Sequence, residues 1–384
     1  MSAPGAPSSL PAIDAAGRGW AGLRVAMVCP YSLSIPGGVQ GQVMGIAKAM
    51  RELGVEVRAL APCDGPPPEP WVSPLGASVP TAANGSVAPI APDPSAALRT
   101  IRALRDEQFD IVHLHEPLVP GPTLTALVFS DRPLVGTFHR AGDIAWYRAL
   151  KVPGRWAARR LSVRCAVSGL ALATARRALG GQYELLWNGI DIGLVNAASA
   201  WPTNGPTVLF LGRHEPRKGL AVLVEAVMQQ GVDARVWVAG DGPQSRALRE
   251  ATMGDARFEW LGTIDEEEKL RRLRGADVLV APSLHGESFG VVLLEGMAAR
   301  ATVVASDIAG YANVARGSRD AFLVPPGDPA ALAGALQKAL AGGPEVKAMQ
   351  ESAYQRAAAH SLGALAQKYL ELYEPLQAER QRRR

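Results

Sequence analysis

Short, unbroken apolar runs alternate with helical stretches along this chain, and after a polar interruption the alternation begins again. The first series of strands reads Arg24–Cys29, Val55–Leu60, Ile111–Leu114, Leu134–Phe138 and Arg164–Val167. Between them the pattern predicts helices over Gln40–Leu53, Pro94–Glu107 and Gly169–Leu179, and a basic helical segment running to Leu161. A strand that is apolar on both faces must be covered on both, which a parallel sheet with crossover helices achieves. Asn188-Gly189 marks a turn, and the polar, proline-containing stretch Ala197–Pro206 reads as a linker. A second series follows at Val208–Leu211, Ala234–Val238, Val278–Val280 and Thr302–Ala305. The 384 residues also exceed the ~100–200 that one core usually serves. Two tandem, doubly wound α/β domains are therefore expected, over residues 24–195 and 196–358. A closing helix at about Ser361–Pro375, within segment 359–384, is expected to pack back on the first domain ahead of a basic tail. Residues 1–23, rich in Ala, Pro, Gly and Ser, read as a disordered tail. Ligands of such sheets bind beyond the carboxyl ends of the strands, so the site belongs in the cleft between the two domains.

A net charge of +4 suits an anionic substrate or a weak attraction to acidic lipid, and falls short of a nucleic-acid signature. One basic run holds Arg148, Lys151, Arg155, Arg159, Arg160 and Arg164, and another ends the chain at Arg380, Arg382, Arg383 and Arg384. These read either as a solvated helix face with a frayed tail or as a membrane-surface patch. Cys29, Cys63 and Cys165 are too scattered for a disulfide framework, which points to a reducing cytoplasm. No apolar stretch nears the ~20 residues of a membrane span, and the start lacks signal-peptide character. The expected location is cytoplasmic, at most peripheral on a membrane.

Four elements carry chemistry. Pro36-Gly37-Gly38 lies between the first strand and first helix, where glycines admit a ligand to the helix N-terminus. Arg213, Arg217 and Lys218 follow the first strand of the second domain, well placed to neutralise the charge that builds on a departing diphosphate. Glu287 and Glu295 stand eight residues apart around an expected helix start, about 12 Å along a helix axis. Hydrolytic carboxylate pairs lie roughly 5–9.5 Å apart, so these two are better spaced to grip an elongated ligand at two points. His139, at a strand end, can bond a substrate hydroxyl or move a proton. His113 and His115 share a strand face, but no third ligand is evident and no metal site is expected.

Together these residues resemble family 4 retaining glycosyltransferases of the GT-B fold, two Rossmann-like domains facing each other across a cleft. The resemblance runs from about Arg24 to Tyr373. Met27–Ser32, Pro36–Gln40, Asn84–Ala88 and His115-Glu116-Pro117 are most similar to actinobacterial phosphatidyl-myo-inositol α-mannosyltransferases, which use GDP-mannose at the inner face of the plasma membrane in phospholipid metabolism of the cell envelope. The resemblance implies that Arg213, Lys218 and the Gly38 amide hold the diphosphate. Glu287 and the Phe289-Gly290-Val291 backbone would hold the sugar and Glu295 the ribose, while Ile264, Glu266 and Lys269 fall where the family binds guanine. It places His139 beside the transferred sugar, and Tyr31, Asn84 and Ser86 on the acceptor side. It implies no metal or other cofactor, retention by same-face attack, and a sugar nucleotide and a lipid as partners; a monomer is expected.

The chain departs from those mannosyltransferases chiefly on the acceptor side. Ala83 and Pro89 stand where they carry tyrosine and arginine, and Arg140–Ile144 replaces a threonine-rich stretch ending in lysine. Their basic membrane helix is thinned to Arg99, Arg102 and Arg105, and Glu266 replaces the base-binding aspartate. Two other readings stay open: the same mechanism with another acceptor or sugar nucleotide, and a non-catalytic sugar-nucleotide-binding protein. The latter predicts lost donor residues, yet Arg213, Lys218, Glu287 and Glu295 all remain.

Overall fold

The computed structural model describes residues 20–83, 86–141 and 151–383. In the first lobe the strands are β1 (Arg24–Val28), β2 (Glu56–Ala61), β3 (Val72–Pro74), β4 (Val79–Ala83), β5 (Ser86–Ile90), β6 (Ile111–His115), β7 (Leu134–Phe138), β8 (Leu161–Ala166) and β9 (Glu184–Leu185). Seven form a sheet of order β3-β2-β1-β6-β7-β8-β9, and every pairing in it is parallel. β4 and β5 pair apart from it as an antiparallel hairpin. Alternation along β1 explains the two-sided cover. Val25 and Met27 face a core shared with α1 (Gly38–Glu52), while Ala26 and Val28 face α2 (Pro94–Asp106), α3 (Pro122–Phe129), α4 (Lys151–Ala158) and α5 (Gly169–Leu179).

The second lobe repeats the plan. Its helices are α6 (Ile192–Ala197), α7 (Leu220–Gln229), α8 (Ser245–Ala251), α9 (Glu266–Gly275), α10 (Val291–Ala298), α11 (Pro329–Ala341) and α12 (Pro344–Ala358). Its strands are β10 (Thr207–Leu211), β11 (Arg235–Ala239), β12 (Phe258–Gly262), β13 (Val278–Ala281), β14 (Thr302–Ser306) and β15 (Phe322–Val324). Their order is β12-β11-β10-β13-β14-β15, all parallel. Leu209 faces the core under α10 and α12, and Val208 and Phe210 face α7 and α11. In both sheets the order reverses beside the first strand, and that switch point opens a crevice at the strands' carboxyl ends.

Several boundaries differ from the sequence reading, each for a local reason. Trp20 and Leu23, expected in the disordered tail, are buried in the first core, and a Leu23 N–H to Trp20 carbonyl bond closes a turn there. The basic segment ends at Ala158, and Leu161 opens β8. Its arginines are partly spent on helix ends. Arg160 donates to the Leu127 and Ser130 carbonyls at the end of α3, and Arg164 to those of Ala158 and Gly180 after α4 and α5. Arg148 lies outside the described residues. The expected linker is pinned to the second lobe, because the Arg272 guanidinium lies between the Trp201 and Trp237 rings at 3.9 and 4.5 Å. Ile190 and Val195 already pack in that lobe's core. The closing helix, α13 (Leu362–Arg383), continues through Pro375. Proline removes one N–H bond there, and Arg380, bound to the Phe109 carbonyl and the Asp110 carboxylate, holds the last turns to the first lobe. Leu365, Tyr369 and Tyr373 of α13 complete the first core. Among the described residues no helix is long and apolar enough to cross a membrane.

Candidate active site

The loop after β10 is built around buried Glu215. Arg213 and Arg217 reach its two oxygens at 2.8 and 2.9 Å, and a short turn, Pro216–Lys218, swings Lys218 inward. Gly219 ends that turn at φ +71°, and a Cβ there would sit 1.9 Å from the Pro282 carbonyl oxygen, so glycine is required. The loop after β13 comes to meet it. Glu287 accepts from Lys218 at 2.6 Å, from Arg217 at 3.3 Å and from the Ser283 hydroxyl at 3.2 Å. Ser283 also bonds the buried Tyr311 hydroxyl at 2.9 Å. Burial, then the charge of Glu287, raises the Tyr311 phenol above its ordinary range, so it stays neutral. The result is a half-buried cluster with more cationic groups than acids, at the switch point of the second sheet.

Glu287 is further from the helix than expected. α10 starts only at Val291, after Gly290 in the left-handed region at φ +94°. Four of the eight steps from Glu287 to Glu295 are therefore irregular, and the helical estimate of their separation does not apply. Phe289 points into the core beside His360. Helices α2, α5, α6, α9 and α11 are capped by Asp or Ser side chains. α1 and α10 begin at glycines with no side-chain cap and no acid in the first turn, so their leading amides suit an anion.

A second cluster joins three predicted residues. Lys269 bonds Glu295 at 2.9 Å and Glu266 at 2.8 Å. Burial opposes the Lys269 charge, but the two carboxylates outweigh it and raise its pKa. Ile264 lies in the loop before α9, and neighbouring Asp265 is spent capping that helix through the Glu268 amide.

The first lobe contributes a histidine cluster at the ends of β6 and β7. His139 Nε2 and His115 Nδ1 are 2.9 Å apart, with the ring centroids 5.1 Å apart. One oxygen of buried Glu116 accepts from the amides of both His139 and Arg140, and Arg140 donates to the Tyr31 hydroxyl at 2.9 Å. The lobes meet here, because the Ser288 hydroxyl donates to the His139 carbonyl at 2.8 Å. Sequence reasoning missed Ser283, Ser288, Glu116 and Tyr311 as parts of this arrangement. Glu116 had a visible signal, an acid directly after a buried strand, whereas Tyr311 had none. Asn84 lies outside the described residues, and Ser86 is placed by its backbone alone, opposite Ala83 at the hairpin turn.

Burial lowers the pKa of His139 to about 4 and of His113 to about 3, and holds His115 well below its ordinary range. Between about pH 6.5 and pH 4 the unfolded chain thus binds protons that the folded chain does not, so stability rises with pH and is lost as pH falls. Each buried ring removes up to about 1.4 kcal/mol per pH unit below 6.5. The melting temperature is expected to drop measurably from pH 7 to pH 5.5, above the range where carboxylates titrate. A flat profile over that interval would show the rings to be solvated.

Residues 36–194 match the family described as Glycosyltransferase Family 4, and residues 205–342 the one described as Glycosyl transferases group 1. The chain belongs to glycosyltransferase family 4. A phosphatidyl-myo-inositol mannosyltransferase of Mycobacterium leprae (strain TN) is 39% identical over 327 residues, spanning 82% of this chain and 86% of its own. One from Propionibacterium freudenreichii subsp. shermanii is 38% identical over 312 residues, spanning 76% and 79%. Among solved structures, a glycosyltransferase from Rickettsia africae ESF-5 superimposes with a TM-score of 0.71 at 19% identity, covering 92% of this chain and 98% of that one. A sucrose-phosphate synthase from Thermosynechococcus elongatus gives 0.71 at 21%, covering 93% and 100%. At such identities the structural likeness concerns the fold, which is GT-B. This glycosyltransferase carries its Glu287 cluster on the loops after β10 and β13, where the Ser288 hydroxyl reaches the first lobe.

Proposed function

We propose that this family 4 glycosyltransferase moves mannose from GDP-mannose to a phosphatidyl-myo-inositol-type lipid at the inner membrane face, with retention. The observation that carries the reading is the Glu287-centred network, which holds Lys218 and Arg217 in place beside an uncapped helix start. In this reading the donor diphosphate lies between that network and the Gly38 amide, with Arg213 and Lys218 on its oxygens. Glu287 turns to sugar hydroxyls, Glu295 to the ribose, and Ile264, Glu266 and Lys269 to the base. As the sugar–phosphate bond breaks, the fixed cations stabilise the charge gathering on phosphate. The acceptor hydroxyl attacks from the same face, and its proton passes to the departing phosphate oxygen. The names of the relatives support mannose and the inositol lipid, and the basic groups of the first lobe suit an anionic surface.

Thermal shift against GDP, UDP and ADP tests the base assignment. GDP is expected to raise the melting temperature most, and a UDP preference would remove mannose from the reading. Radiolabelled GDP-mannose with membrane lipids tests the acceptor, with label expected in a phosphatidylinositol species. Label confined to another lipid class would leave the donor assignment standing and replace the acceptor.

A further inference from the structure

We propose that His115 is a positioning residue for sugar transfer: its Nδ1–H occupies His139 Nε2 and so fixes His139 as the Nδ1–H tautomer. The inference rests on the reading that His139 lies beside the transferred sugar, and it changes what His139 does there. A ring so held offers the sugar a fixed neutral surface and takes no proton from the acceptor.

Three observations carry it. First, His115 pairs with Thr137 in the β6–β7 register, which places His139 one step beyond it on the same face. The two rings meet edge to edge, their centroids 5.1 Å apart, at a 2.9 Å contact between His115 Nδ1 and His139 Nε2, so one nitrogen carries the proton and the other accepts it. Second, His115 Nε2 is buried with no hydrogen-bond partner among the described residues. A proton there would make it an orphaned buried N–H, the rarer and costlier defect, so the proton belongs on Nδ1 and points at His139. Third, a neutral His139 that accepts at Nε2 carries its own proton on Nδ1. Asn188 lies near this ring and favours its protonated form, although its buried Oδ1 makes no hydrogen bond among the described residues. The direction is fixed at the contact between the rings, from His115 Nδ1–H to His139 Nε2.

The closing helix braces the arrangement from behind. Tyr373 bonds His113 Nδ1 at 2.6 Å, His113 Nε2 bonds the Thr137 hydroxyl at 2.7 Å, and Thr137 bonds Tyr369 at 3.0 Å. The His113 and His115 ring centroids are 4.5 Å apart. Tyr369 and Tyr373 are four residues apart on one helix face, so a single docking of α13 orders both phenols. The ring of His115 is thereby wedged between His113 and His139.

The test compares His115→Leu with His115→Asn on the full chain. Asparagine places an N–H donor close to that of Nδ1, whereas leucine keeps bulk without a donor. His115→Leu is expected to lower kcat about 10²-fold, as for a slightly misplaced reacting group, with KM for GDP-mannose within about twofold. His115→Asn is expected to stay within about threefold of wild type. Nitrogen-15 NMR of the wild-type protein at pH 7 should show His139 unprotonated at Nε2, and His115→Leu should mix the two tautomers. A wild-type His139 protonated at Nε2, or a tautomer untouched by His115→Leu, overturns the proposal. The NMR readout needs neither donor nor acceptor, so it stands even where the donor sugar proves to be different.

Discussion

Lys218→Ala is expected to lower kcat for sugar transfer by about 10²–10³-fold, the usual loss when one fixed group facing transition-state charge is removed. The lysine is built in rather than draped over a surface. Gly219 accepts a left-handed conformation behind it, and Glu287 holds its ammonium at 2.6 Å. In the proposed reaction that ammonium is already placed where the leaving phosphate gathers charge, so no reorganisation is needed during the step. Arg217, also on Glu287, does not replace it, because its guanidinium is shared with Glu215. Circular dichroism should show an intact fold, since Lys218 lies outside the hydrophobic cores. Turnover near wild type would remove Lys218 from the donor site.

Glu287→Ala is expected to separate binding from transfer. Glu287 ties down two cations and a serine hydroxyl at the start of the cleft. Without it, Lys218 and Arg217 repel each other across a half-buried space. The protein should melt at a lower temperature in buffer free of multivalent anions, and GDP should restore much of the loss by mass action. GDP affinity is thus expected to hold or tighten. Transfer should fall by at least about 10²-fold, because the sugar has lost its anchoring carboxylate. Calorimetric titration with GDP, run beside a transfer assay, reads both effects. Wild-type turnover with weakened GDP binding would reverse the roles assigned to the acid and the cations.

The members of the candidate site differ in how visible they were beforehand. Arg213 and Lys218 follow β10 by two and seven residues and Glu287 follows β13 by six, on loops at the strands' carboxyl ends, while Glu295 lies within α10. Their grouping follows from the parallel sheet that the same runs dictate. Ser283, two residues after β13, has that placement but an uncharged side chain, and Tyr311 has no such mark. Tyr311 reaches Ser283 because β13 and β14 are neighbours, a pairing set by topology and not by local pattern. The hairpin β4–β5 was legible in principle, since Asn84-Gly85 lies between two strand-forming segments, the usual signature of a tight turn. The edge strands β3, β9 and β15 have only two or three residues, too few for periodicity to register.

From its residues alone this protein was bound to be two doubly wound α/β lobes with basic and acidic groups at strand ends, because apolar runs of that length can be buried only between layers of helices. The sequence could not specify where the chain crosses between the lobes or which strand residues the closing helix meets. Tyr369 and Tyr373 lie more than 230 positions from the strand residues they bond. Contacts of that separation depend on the docking of whole elements. Only the folded chain placed those phenols behind the histidines, and only there did His115 become the group that faces His139.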